Sequence, residues 1–207
     1  MSHTYEDLAL DYEFERQEVE EEWERHLSEA VGLFAEGRLK SYYVAHPDVA
    51  QRATEALAYS KALLAQGHSR AALVFAGTAM EVGYKAVLLR PIVSGLVHTE
   101  GLAEVVMLLA TEHTGLERFF ELLAAVLAEF GSVDLKTFVR QGAKRRFWDE
   151  MKAISSARND VVHKGTDATE ETAAMAVAVA ETLLDVLLPR ILDNLGLKLQ
   201  AGNVIQQ

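Results

Sequence analysis

The chain has 207 residues, 50% hydrophobic and 25% charged, and its 31 acidic against 20 basic side chains give a formal net charge of -11. That is enough for one domain with a proper core, with or without an added arm, and it excludes a disordered chain, a collagen-like repeat and a disulfide scaffold. The acidity excludes a surface that coats nucleic acid or anionic lipid everywhere, so a polyanion partner is expected only at a local patch. With no cysteine there is no thiol nucleophile and no thiolate metal site, and a cytoplasmic address is expected. The acidic start, Met1 to Asp7, lacks the basic and apolar regions of a signal peptide. The apolar stretch from Ala173 to Leu188 is broken by Glu181 and Asp185 and is too short to span a bilayer, so a soluble protein without a membrane partner is expected.

Only three prolines occur, and propensity predicts helix almost throughout, with no run that reads as a strand. A first helix over roughly residues 5–36 places Leu8, Tyr12, Val19, Trp23, Leu27, Ala30 and Phe34 on one stripe, and Gly37 reads as its stop. Pro47 opens a second helix that runs to about Gln66. A third, from about Ser69 to Arg90, carries the small residues Ala71, Ala72, Ala76, Gly77, Ala79, Gly83 and Ala86, which allow another helix to approach closely, and Pro91 is its expected end. The helical pattern resumes over residues 101–113. Leu116, Phe119, Phe120, Leu123, Val126, Leu127 and Phe130 then form an amphipathic face closed by Gly131. Another helix is expected from about Lys144 to His163. A last one starts near Thr169, where Asp167 and Glu170 have the spacing of a capping box. Apolar on nearly every side from Ala173 to Leu188, this last helix is expected at the centre of a bundle or in a subunit interface, and Pro189 to kink or end it. The expected fold is all-α: an antiparallel helical bundle over residues 38–207 with an acidic helix or arm over residues 1–37.

Charge is unevenly spread. Residues 1–37 hold 12 acidic and 2 basic side chains, whereas residues 136–164 sum to +5. Lys144, Arg145, Arg146, Lys152 and Lys164 in that segment are candidate phosphate-contacting residues, or simply a polar helix start with solvated cations. No Gly-rich phosphate loop, no His-Glu-x-x-His helix and no nucleophile elbow occurs, and the seven histidines never fall at metal-ligand spacing. No metal or cofactor is expected.

What remains is Arg158-Asn159-Asp160-Val161-Val162-His163-Lys164-Gly165. Phe147, Met151, Ile154, Arg158 and Val161 share one helical row, so Arg158 stands where a core residue is expected and needs a partner or an open groove. His163 lies five residues on, about 140° around the helix and about 7.5 Å along it, so the two side chains converge only if the helix ends early or a second copy meets it.

Arg, a polar residue, an apolar pair, His and Gly near a helix end, followed by a Thr-x-Glu-Glu helix start, resembles the signature of the HEPN family, the Arg-x4-6-His helical domains. Glu81, within Ala79-Met80-Glu81-Val82-Gly83, resembles that family's acidic or polar landmark on a facing helix. The resemblance covers about residues 47–194 and implies a metal-independent endoribonuclease of toxin or defence type, acting as a homodimer with the two motifs in one cleft. It implies His163 as the proton carrier, Arg158 as the ligand of the charged phosphorane, Asn159 as a catalytic helper and Glu81 as the support of Arg158; imidazole and guanidinium chemistry suit those tasks. The basic residues named above would guide RNA. An antitoxin or a small nucleotidyltransferase partner is implied too, although Gly165 occupies the place of the Tyr found in members controlled by adenylylation. Two other readings stand beside it: a non-catalytic module binding a nucleotide or a protein, and a structural dimerisation subunit.

Overall fold

The computed structural model describes residues 36–96 and 120–207. The helices expected over residues 5–36 and 101–113, and Leu116 and Phe119 of the amphipathic face, lie outside these. The chain divides into two compact units, Met1–Arg38 and Leu39–Gln207, and the second contains the helical bundle.

Among the described residues there are six helices and one hairpin. They are α1 (residues 36–45), α2 (Gln51–Ala65), α3 (Ser69–Leu96), α4 (Phe120–Gly131), α5 (Phe147–Lys164) and α6 (Glu170–Asn194), followed by β1 (Leu197–Gln200) and β2 (Asn203–Gln206). The fold is mostly helical, as expected. α6 is the central element: Ala173, Ala176, Val179, Ala180, Leu183, Leu184, Leu187 and Leu188 are all buried. It packs against α2, α3 and α5, and its last turns meet α4. Residues Ser69–Ser94 of α3 also have the length and apolarity of a bilayer span, a stretch the sequence reading passed over. Most of the window is buried in the bundle, so its apolar side chains pack into the core.

Several boundaries differ from expectation for identifiable reasons. Gly37 lies inside α1, because its φ is not positive and it makes no left-handed cap. Pro47 does not open α2. It sits in a preceding turn, where its carbonyl accepts from Val204 N–H of β2 (2.7 Å), and α2 begins after the N-cap Ala50. α5 starts three residues later than expected, so Lys144, Arg145 and Arg146 belong to the loop before it. At α6 the N-cap is Thr169 and not Asp167: its hydroxyl accepts from Thr172 N–H at 3.1 Å, whereas Asp167 faces Arg70 at 3.6 Å.

The two internal prolines stop neither helix, and the reason is shared. Gly83–Leu89 in α3 and Thr182–Leu187 in α6 are π-helical, and Pro91 and Pro189 each follow two residues after such a segment. The wider turn loosens the i→i−4 ladder where a proline ring would clash. In α geometry Val87 carbonyl would need the N–H that Pro91 lacks; the Tyr43 hydroxyl donates to it instead (2.7 Å), with both residues fully buried. Tyr43→Phe removes that hydrogen bond from the core, and denaturant titration should find a loss of about 0.5–1.5 kcal/mol.

The π segments also touch. A Cβ on Gly83 would stand 3.0 Å from Leu183 Cδ2 and 3.2 Å from Leu184 Cδ2, so the missing side chain is what lets α3 and α6 approach there. For Gly83→Ala, overpacking of about 1–3 kcal/mol is only partly offset by a helix-propensity gain of about 1 kcal/mol, and a net loss on the order of 1 kcal/mol is expected in the same titration.

The β-hairpin corrects the expectation of no strand. Leu197 pairs with Gln206 and Gln200 with Asn203 across the two-residue turn Ala201–Gly202, both at positive φ (48° and 81°). That is the turn whose twist matches a hairpin. Leu197 and Val204 are buried, and Gly202 packs against Gln51 of α2, where a Cβ would meet its Cα at 3.1 Å.

Candidate functional site

The row predicted along α5 exists. Phe147, Met151 and Ile154 are fully buried, Val161 nearly so, and Arg158 stands among them with 29% of its side chain exposed. Room for it comes from α3, where Gly77 has no side chain: a Cβ there would lie 3.1 Å from Arg158 Cγ and 3.3 Å from its Cβ. The aliphatic stem therefore lies flat on the backbone of α3 and the guanidinium emerges at the helix–helix seam.

Two groups flank that guanidinium. Arg158 Nη1 donates to Asn159 Oδ1 at 3.2 Å and lies 3.9 Å from Glu81 Oε2. The other carboxylate oxygen of Glu81 accepts from Lys85 Nζ at 2.6 Å. Glu81 thus holds Lys85 closely and Arg158 loosely. Arg158 Nε is buried with no hydrogen-bond partner. Tyr84 lines the same seam, and burial together with the neighbouring Glu81 raises its phenol well above the usual range, so it stays protonated and able to donate.

His163 is exposed in the last turn of α5. The helix runs on through Lys164 and closes with Gly165 in the left-handed region (φ 67°), where Gly165 N–H bonds Val161 carbonyl (3.2 Å). It does not end early, so Arg158 and His163 of one chain remain about 140° apart around the helix. Asn159, also exposed, is engaged with Arg158. The structure brings together Arg158, Asn159 and Glu81, and leaves His163 apart from them.

The five candidate RNA-contacting residues fall into two groups. Lys144 and Arg145 are exposed and form no ion pair among the described residues. Arg146 bonds Asp149 (2.8 Å), Lys152 lies 3.5 Å from the same carboxylate, and Lys164 pairs with Asp160 (2.7 Å). The Arg146 hydrogen bond holds the Asp149 carboxyl below its usual range. These are surface pairs, weak enough for a phosphate to displace. Asp160 is committed to Lys164 and not to Arg158. Arg140, counted in the same basic segment, is half-buried in a bidentate pair with Glu150 at 2.7 and 3.0 Å, which ties the loop before α5 to that helix.

Sequence reasoning named Gly77 only among the small residues of its helix and missed its fit to Arg158, as it missed Lys85 and the Arg140–Glu150 pair. The i,i+4 spacing of Glu81 and Lys85 is a readable signal; nothing local links Gly77 to Arg158 across 81 positions. No cluster of three or more acidic or His side chains arranged to hold a metal occurs among the described residues. Compared with protein-family models, curated proteins and solved structures, the chain finds no match in any of the three.

Proposed function

We propose that the chain is a metal-independent endoribonuclease with a HEPN-like bundle, working as a homodimer. The observation that carries this reading is Arg158: a permanently charged, planar donor set on a core row, its stem seated on Gly77 and its terminal edge open beside a loosely placed Glu81. Placing a guanidinium there is costly for a purely structural helix, and removing Cβ from the facing helix accommodates it.

In the proposed reaction the ribose 2′-oxygen attacks the adjacent phosphorus, giving up its proton to an imidazole, while the bond from phosphorus to the 5′-oxygen breaks and that oxygen takes a proton. The products are a 2′,3′-cyclic phosphate and a 5′-hydroxyl. Arg158 meets the charge gathering on the non-bridging oxygens, and Lys144 and Arg145 contact the backbone further along. Because Arg158 and His163 diverge on one regular helix, the working pair is Arg158 of one copy with His163 of a second.

The test is incubation of the full chain with total RNA in EDTA, with end-group analysis, beside Arg158→Ala and His163→Ala. Cleavage to cyclic-phosphate ends that both substitutions abolish is the expected result. Intact RNA with wild-type protein, or cleavage that persists in both variants, overturns it. A rise in Tm with nucleotides while RNA stays intact would instead favour a non-catalytic nucleotide-binding module.

A further inference from the structure

We propose that Lys85 is a positioning residue for Arg158: by holding one oxygen of Glu81 it keeps that carboxylate from closing on the guanidinium, and so leaves Arg158 available to a phosphate. Lys85 Nζ donates to Glu81 Oε1 at 2.6 Å, while Glu81 Oε2 stands 3.9 Å from Arg158 Nη1. Glu81 precedes Lys85 by one turn of α3, the favourable order for such a pair. The lysine is the more sheltered of the two, with 22% of its side chain exposed against 37% for Glu81, and its ammonium lies 5.9 Å from the centre of the Tyr84 ring.

The same protein shows what a carboxylate does when both its oxygens serve one guanidinium. Glu150 closes on Arg140 with a two-point fork at 2.7 and 3.0 Å, the geometry that planar guanidinium and carboxylate groups favour. Glu81 cannot form that fork while Oε1 is committed to Lys85. Its free oxygen would have to move by only about 1 Å to reach the usual charge-assisted distance of about 2.8 Å. The seam is thus held open where the loop before α5 is held shut.

The consequence for an anion is one of charge and of donors. Arg158, Glu81 and Lys85 together carry one net positive charge; without Lys85 the remaining pair is neutral, and a phosphate would have to displace Glu81 to gain the same donors. Lys85 acts through Glu81 and touches no ligand. This role rests on Arg158 meeting a phosphate as proposed above, whereas the tether itself is a matter of structure.

The test therefore reads both. A crystal structure of the full chain carrying Lys85→Met should show Glu81 closed onto Arg158 at hydrogen-bond distance. With RNA, Lys85→Met should lower kcat/KM about five- to tenfold, a modest effect because the Arg158–Glu81 pair is 29% and 37% exposed and partly screened. Lys85→Arg, which keeps a cation on Glu81, should restore most of that loss. In a Glu81→Gln background Lys85→Met should cost at most about twofold, the screened loss of a charge that does not touch the ligand. Glu81 still 3.9 Å or more from Arg158 in the Lys85→Met crystal overturns the inference, with or without cleavage. So does an equal loss in both backgrounds, which would make Lys85 a direct phosphate ligand or a purely structural residue. If wild-type protein leaves RNA intact, the endoribonuclease reading falls, and the Glu81–Arg158 distance in the variant alone decides the tether.

Discussion

Arg158→Ala and His163→Ala should each lower RNA cleavage by about 10²–10⁴-fold, the range associated with losing a positioned proton carrier or a preorganised charge donor, and mixing the two inactive proteins should bring activity back. The recovery follows from the geometry of α5. The helix is regular from Phe147 to Lys164, so the two side chains point about 140° apart and are offset by about 7.5 Å. In the proposed dimer each chain then supplies one half of each site. In randomly re-formed dimers of the two variants, about half the molecules are mixed and one of their two sites is intact, so recovery should approach about a quarter of wild-type activity. Single-turnover cleavage after mild dissociation and remixing measures this. A mixture that stays as inactive as its components sinks the shared site, and a dimer in which the two His163 side chains lie far from Arg158 of the other copy sinks it equally.

The largest effect on stability is expected at a place with no role in that chemistry. Glu150→Ala should cost about 3–5 kcal/mol, because it strands Arg140 as a charge with most of its surface out of water. The pair is bidentate at 2.7 and 3.0 Å, with side-chain exposures of 16% for Arg140 and 5% for Glu150. Its attraction replaces two costly desolvations, and removing one partner exposes the whole of the other's. Thermal unfolding should move down by on the order of 10 °C, given roughly 2–4 °C per kcal/mol for a chain of this size. Replacing both residues by apolar ones of similar volume should cost much less than Glu150→Ala alone. A Glu150→Ala protein as stable as the wild type would show that the loop before α5 is held by its apolar contacts, such as Phe138 on Phe147, and not by the ion pair.

Much of the helical fold was legible because helix periodicity is a local property. The α5 row announced itself through the spacing of Phe147, Met151, Ile154 and Val161, and the same spacing marked Arg158 as misplaced. The apolar girth of α6 announced that it is covered on nearly every side, at a bundle centre or an interface, and the structure places it at the centre. The errors cluster where a backbone group is served from far away in sequence. Pro91 was read as a stop because proline removes a hydrogen bond, yet the Val87 carbonyl, four residues before it, is served by Tyr43 on another helix. Pro47 was read as a helix start, yet its carbonyl belongs to β2. The hairpin was passed over although its pattern is local, since its strands are four residues each and Ala-Gly is a weaker signal than Asn-Gly for that turn.

The candidate site divides in the same way. Charge partition along the chain singled out residues 136–164, and the bundle then consumed part of that charge: Arg140 in the core-facing pair with Glu150, Arg146 and Lys152 on Asp149, Lys164 on Asp160. Lys144 and Arg145, which sit in a loop and not, as expected, at the head of the helix, form no ion pair among the described residues.

By itself the sequence determined the helical class, the need of α6 for cover on nearly every side, and the anomaly of an arginine on a core row, because each depends on residue type and periodic spacing alone. Only the tertiary structure decided what that arginine does with its buried part. Gly77 clears the space for its stem, Glu81 is tethered by Lys85 and holds it only loosely, and the unbroken helix to Lys164 keeps His163 away from it. Those are relations between α3 and α5, residues some eighty positions apart, and distance in space between such elements is set by packing that no local pattern encodes.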